Sequence, residues 1–294
     1  MDMDRPSEET IVNSLKNITK EEILENAHMM LMPKGERNVD EIFRDPEIAG
    51  KLVTRDVSPD IMGAYTLKME TDAPSEHTYV AKDMLKDIGM TVEELHDAAM
   101  ENIRRSYIAM PIEQTIRMLS DEGTEQQMGA ADKTEEQRSS DADKDSPVPM
   151  IVLTSKDHHF GAAAILLPEA QKDVSEMFGG SFLVCPSSRH EVICIPDEME
   201  KLDYFERMVH DINSFAVSDK EFLSNTVLRY DSGSKVLEPA RDYADRQVAA
   251  EISESLNKGE TIQAETTAKE SPYPGLPPCP EPRRIEQKRG MDIC

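Results

Sequence analysis

The chain has 294 residues, with 33 Lys and Arg against 58 Asp and Glu, a formal net charge of −25. That excess of negative charge is repelled by phosphate backbones and anionic membrane surfaces, which argues against nucleic acid or membrane as partner and leaves protein as the partner class. A hydrophobic content of 38%, an aromatic content of 5% and no Trp are lean for this length, so part of the chain is expected to stay outside a packed core.

The N-terminus, MDMDRPSEET, lacks the basic-then-apolar pattern of a signal peptide. No apolar run approaches the roughly 20 residues that span a bilayer. The four cysteines, Cys185, Cys194, Cys279 and Cys294, show no CxxC spacing and no secreted disulfide framework. A soluble, cytoplasmic protein is the expectation. No cofactor motif and no metal-ligand spacing is present, so neither is expected.

Residues 1–120 read as a mainly helical N-terminal region. Helices are expected between Glu8 and Met32, where Thr19 and Glu22 form a capping box ahead of Ile23 and Leu24. The run His28-Met29-Met30-Leu31-Met32 offers soft ligands, but consecutive residues on one helix diverge, so packing is the better reading. Val39, Ile42 and Phe43 suit a short helix, and Tyr65-Thr66-Leu67 a strand. A helix through Val80, Met84, Leu85 and Ile88 should end at Gly89. Thr91 and Glu94 then cap a second helix whose stripe is Val92, Leu95, Ala99, Ile103 and Tyr107. His96 has no His or Cys three or four residues away and reads as a boundary residue.

Residues 121–149 are rich in Glu, Asp, Gln, Ser and Lys and cannot bury enough apolar surface to offset ordering entropy. They read as an acidic flexible linker or long loop. Residues 150–239 should form the core, with strand runs Met150–Thr154, Gly161–Leu167, Ser181–Cys185 and Glu191–Ile195 bounded by turn residues. A helix, Glu169–Phe178, is closed by Gly179 and Gly180. Another helix, Met199–Phe215, should cover one sheet face with Leu202, Phe205, Val209 and Ile212. Thr226–Tyr230 and Lys235–Leu237 flank a turn and read as a hairpin. The strand runs are apolar on both faces, so the sheet should be sandwiched. Residues 240–294 read as a polar, Pro-rich and largely disordered tail, mildly helical up to Leu256.

The expected fold is therefore α+β. A mainly antiparallel sheet, in the order strand-strand-helix-strand-strand-helix plus a C-terminal hairpin, joins a helical N-terminal part.

Chemistry has few candidates. The turn after Met150–Thr154 carries His158 and His159, which as neighbours diverge and are poor co-ligands of one metal. The segment Pro186-Ser187-Ser188-Arg189-His190 places a hydroxyl, a cation and an imidazole close together. A hydrolase built from Ser187 or Ser188, Arg189 and His190, with help from His158 or His159, needs base and hydroxyl within hydrogen-bond reach. Neighbours in a tight turn rarely meet that way, and no GxSxG elbow is present. Cys185 and Cys194 read as packing thiols.

Four stretches carry a resemblance: GMTVEELHDAAMEN at Gly89–Asn102, PMIVLTSKDHHFGAAAILLP at Pro149–Pro168, GGSFLVCPSSRHEVICIPD at Gly179–Asp197, and the weaker NSFAVSDKEFLSNTVLRYD at Asn213–Asp231. Over roughly Thr78 to Pro239 the chain resembles DUF5688, an uncharacterised bacterial family of Clostridia type. Residues 1–77 match less well, as in a divergent or shortened member. The resemblance implies a cytosolic bacterial setting and supplies no catalytic residue. Function then rests between a non-enzymatic interaction or regulatory module and a hydrolase at residues 186–190.

Overall fold

The computed structural model describes residues 18–68, 77–121 and 148–257. The expectations for the interior of the acidic linker and for the proline-rich tail, with Cys279 and Cys294, lie outside those residues. So does the start of the helical region expected from Glu8.

The fold is α+β and its strand pairings are antiparallel. Helix α1 (Lys20–Asn26) begins with the expected capping box, the Thr19 hydroxyl accepting from the Glu22 amide at 3.1 Å while the Thr19 amide donates to the Glu22 carboxylate at 2.7 Å. Strand β1 (Ala27–Pro33) follows directly. Here the helical reading of the Met run is corrected, because all seven residues are buried as a strand. Met favours helices intrinsically, but burial on both faces selects the extended form. Met29 and Leu31 face the main core, while Met30 and Met32 pack with Phe43, Tyr79 and Phe160 on the other side.

A short helix, α2 (Pro46–Ala49), precedes β2 (Thr54–Asp56), β3 (Ile61–Lys68) and β4 (His77–Tyr79). β1 covers one edge of β3, and β2 and β4 also pair with β3. The N-terminal part thus carries some of the expected helices together with a four-stranded sheet, in which the expected Tyr65–Leu67 strand lies in β3. Its strands β2 and β4 are three residues long and give no periodic signal. Helix α3 (Lys82–Asp87) leads to α4 (Val92–Ser106), whose Thr91–Glu94 capping box is present. Leu95, Ala99 and Ile103 form its buried stripe. Val92 sits at its exposed N-terminus instead.

Strand β5 (Tyr107–Pro111) and helix α5 (Ile112–Asp121) come next, then β6 (Ile151–Ser155). The second expected strand of the core is absent. Gly161–Leu166 is a 3-10 helix, followed by α6 (Pro168–Phe178) with Pro168 in its first turn. A short apolar run reads equally as strand or buried helix, and GAAAILL has neither β-branched nor aromatic enrichment to tip it towards strand beyond Ile165. Gly179, at φ +76°, ends α6 in the left-handed conformation that glycine adopts without a Cβ clash.

Strands β7 (Phe182–Cys185) and β8 (Val192–Pro196) pair as expected, with Val184 opposite Cys194. Helix α7 (Leu202–Phe215) and the hairpin β9 (Leu228–Asp231) and β10 (Val236–Pro239) complete the second sheet, in order β10-β9-β7-β8-β6-β5. Helix α8 (Ala240–Asn257) follows. The first of two compact units ends at Ala249, and the described residues of the second, 250–257, are helical.

Both faces of the second sheet are covered. Phe182 and Val184 join one cluster with Leu95, Ala99 and Ile103 of α4, Met29 and Leu31 of β1, and Ala162–Ile165. Leu183, Cys185 and Ile195 join Leu202, Phe205 and Val209 of α7. Ile212, expected on that face, is 40% exposed in the helix's last turn. A polar tie links the sheets as well, since the Asp60 carboxylate before β3 accepts from the hydroxyls of Ser224 and Thr226 ahead of β9.

Candidate functional site

The 3-10 helix Gly161–Leu166 positions the site. A Cβ on Gly161 would lie 2.3 Å from the Ser155 amide nitrogen and 2.7 Å from the His190 carbonyl oxygen, so backbone meets backbone there. That approach brings the turn after β6 against the segment between β7 and β8. The Thr154 hydroxyl donates to the His190 carbonyl at 2.8 Å, and the Ala162 amide donates to the Arg189 carbonyl at 3.3 Å. The Pro186–Arg189 segment in turn pairs with Glu221–Ser224. The Ser224 amide donates to Pro186 at 2.9 Å, Leu223 to Ser187 at 3.1 Å, and the Arg189 amide to Glu221 at 2.9 Å.

These contacts border an open cleft of about 360 Å³ lined by His158, His159, Ser188, His190, Glu191, Ala216, Val217 and Glu221. Four of the six candidates from the sequence, His158, His159, Ser188 and His190, therefore converge. Ser187 and Arg189 are not among the lining residues. Arg189 is buried, with its Nη1 4.0 Å from Met30 Sδ. The chain bends after Ser188, which pairs with Phe222, and the Arg189 side chain turns inward there.

Aromatic packing holds the imidazoles. The Phe160 ring stacks on His190 with centroids 5.3 Å apart, and His77 of β4 meets Phe160 edge-on at 4.8 Å. His159 lies 5.7 Å from His190, ring to ring. The turn is strained, with His158 at φ +55° and Phe160 at φ +51°, left-handed conformations that cost a non-glycine residue on the order of 1 kcal/mol. Buried His159 Nδ1 lacks a hydrogen-bond partner. Strain and an orphaned polar atom at one turn are features that surrounding structure must hold in place.

Hydrogen bonding assigns the protons. Phe160 N–H donates to His190 Nδ1 at 3.3 Å, so the neutral imidazole carries its proton on Nε2. His190 N–H donates to the Ser188 hydroxyl oxygen at 3.0 Å. Burial pushes the His190 pKa down, Glu191 and Glu221 raise it in part, and His159 and Arg189 lower it further. Burial pushes the Cys185 thiol up to about 12 and raises Cys194 as well, so both are inert packing groups. His96 is half-buried with Nδ1 2.9 Å from the Tyr65 hydroxyl, a boundary position as read from the sequence.

Glu191, Glu221, Ala216 and Val217 were not singled out by sequence reasoning. Glu191 borders the Ser-Arg-His segment and was in reach of it. The other three arrive from a loop 25 or more residues away, and only the pairing of Glu221–Ser224 brings them in. Among the described residues, no three His, Cys, Asp or Glu side chains are arranged to hold a metal ion. No described helix is long and apolar enough to cross a membrane.

Neither a curated protein nor a solved structure shows significant similarity to the chain. A family model does match, over residues 60–232, which hold both candidate turns, Glu191, Glu221 and all but the last strand of the second sheet. The match spans more than half of the chain, and the chain belongs to that family of unknown function, DUF5688.

Proposed function

We propose that the chain is a non-enzymatic interaction or regulatory module of the bacterial cytosol, and that it binds through the cleft between the His158–Phe160 turn and the Ser188–Glu191 segment. One observation carries this reading. His190, the imidazole next in sequence to the serines, has its acceptor nitrogen Nδ1 committed to the Phe160 amide at 3.3 Å. A base whose acceptor nitrogen is occupied cannot take the serine proton. The cleft nonetheless gathers three imidazoles, two carboxylates and a hydroxyl in a volume suited to a small ligand or a partner's side chain.

The test is crosslinking capture from a bacterial host with the full chain, beside a His159→Gln/His190→Gln variant. A partner captured by the native chain and lost with the variant supports the reading. Equal capture by both, or capture by neither, overturns it.

A second reading, hydrolysis at residues 186–190, is favoured by one fact, that His158, His159, Ser188 and His190 line the same cleft. Labelling by a fluorophosphonate that disappears in Ser188→Ala would establish it. An unlabelled native chain would remove it.

A further inference from the structure

Resting on the reading of the cleft as a ligand site, we infer that its ligand is an organic cation, an alkylammonium or alkylguanidinium group held between Glu191 and Glu221. The lining includes two carboxylates and no Lys or Arg. Arg189, the cation adjacent in sequence, is turned inward towards Met30. Ionised carboxylates only accept hydrogen bonds, while ammonium and guanidinium groups only donate them, so the two match without an orphaned group. A phosphate or carboxylate ligand would instead face two like charges.

The rest of the lining fits the same class. Ala216 and Val217 offer apolar surface to an alkyl stem, and His158, His159 and His190 line the cleft beside it. The formal net charge of −25 also enriches cations around the chain before any contact is made. Free amines and the Lys or Arg side chains of a protein share this chemistry.

Acid should release such a ligand. His190 faces Glu191 and Arg189 from its own segment, His159 from the turn after β6, and Glu221 from the loop before β9. Neutral at pH 7.5, it becomes an imidazolium as pH falls, and it then opposes a bound cation directly.

The experiment uses the full chain with 13Cε1-labelled histidine, whose seven imidazole signals report the cleft and the rest of the fold separately. Agmatine, butylammonium and the peptide Gly-Arg-Gly are titrated at pH 7.5 at constant ionic strength, beside acetate and phosphate. The expected result is saturable movement of the His159 and His190 signals with the cations, with His28 and His96 unmoved. Glu191→Gln/Glu221→Gln should weaken binding at least tenfold, and binding by the native chain should weaken as pH falls below neutral. Unchanged His28 and His96 signals certify that the variant folds. Tighter binding of the peptide than of agmatine identifies a protein side chain as the source, and the reverse identifies a free amine. Acetate or phosphate moving the cleft signals in place of the cations would overturn the cation class and leave the cleft as a ligand site. Undiminished binding by the double variant would also overturn the class. No movement with any probe would overturn the class and remove support from the cleft itself.

Discussion

Gly161 has backbone on the side where a side chain would stand, which makes it the most demanding single position near the cleft. Gly161→Ala must push apart the end of β6 and the His190 carbonyl, at a cost of about 3 kcal/mol. Urea denaturation should show the lower midpoint, and a loss under about 0.5 kcal/mol would mean that the two segments yield easily. His158 behaves in the opposite sense. His158→Gly relieves a left-handed φ, an effect partly offset by glycine's greater freedom in the unfolded chain, and should stabilise the fold by about 0.5 kcal/mol. The cleft would lose an imidazole in exchange, so a rise in thermal midpoint with weaker ligand binding is the expected pair of results.

At the scale of elements, the hairpin β9–β10 is tied down by one guanidinium. Arg229, buried on β9, donates to the Asp197 carboxylate beyond β8 at 2.8 Å and to Asp231 at 2.9 Å, and lies 3.9 Å from the Tyr243 ring centroid on α8. Three elements therefore share one charge. Arg229→Ala leaves two partly buried carboxylates facing one another and should cost about 3 kcal/mol. Arg229→Lys keeps the charge but loses the planar fork that reaches both carboxylates and stacks on Tyr243, so it should recover only part of the loss. Equal stability of Lys and native chains in urea would show that charge alone does the holding.

For the molecule as a whole, pH is the informative variable. His28 is 3% exposed on β1, and neither ring nitrogen makes a hydrogen bond of good geometry. Burial pushes its pKa down to about 4, with Lys68 and His77 adding to the fall and Asp157 and the Met29 backbone opposing it. The folded state therefore binds the proton more weakly than the unfolded chain. Stability is full above the unfolded pKa of about 6.5 and falls as pH drops towards 4, by about 3 kcal/mol from this group. His96 and His190, both lowered, act in the same direction. The depressed carboxylates Asp60 and Asp231 add their loss only at still lower pH. His28→Leu should flatten the slope between pH 6.5 and 4, measured by urea midpoints across that range. An unchanged slope would assign the acid loss to other groups.

Much of this protein was legible one segment at a time. The boxes Thr19–Glu22 and Thr91–Glu94, the stripe Leu95–Ala99–Ile103, the paired strands Phe182–Cys185 and Val192–Pro196 and the hairpin after them rest on interactions within a few residues or on strict periodicity, and both are written locally. Where local preference and burial disagree, the sequence was ambiguous. The His28–Met32 run is a strand because two apolar layers enclose it, and GAAAIL is a 3-10 helix that begins where Gly161 meets the end of β6 and the His190 carbonyl at backbone distance. The cleft divides in the same way. His158, His159, Ser188 and His190 stood out as residue types, but which of them meet, and that Arg189 turns inward while Glu221 arrives from a distant loop, follows from two pairings between segments far apart in the chain. Such contacts depend on the summed free energy of the whole core rather than on any one stretch, so only the tertiary structure decides them.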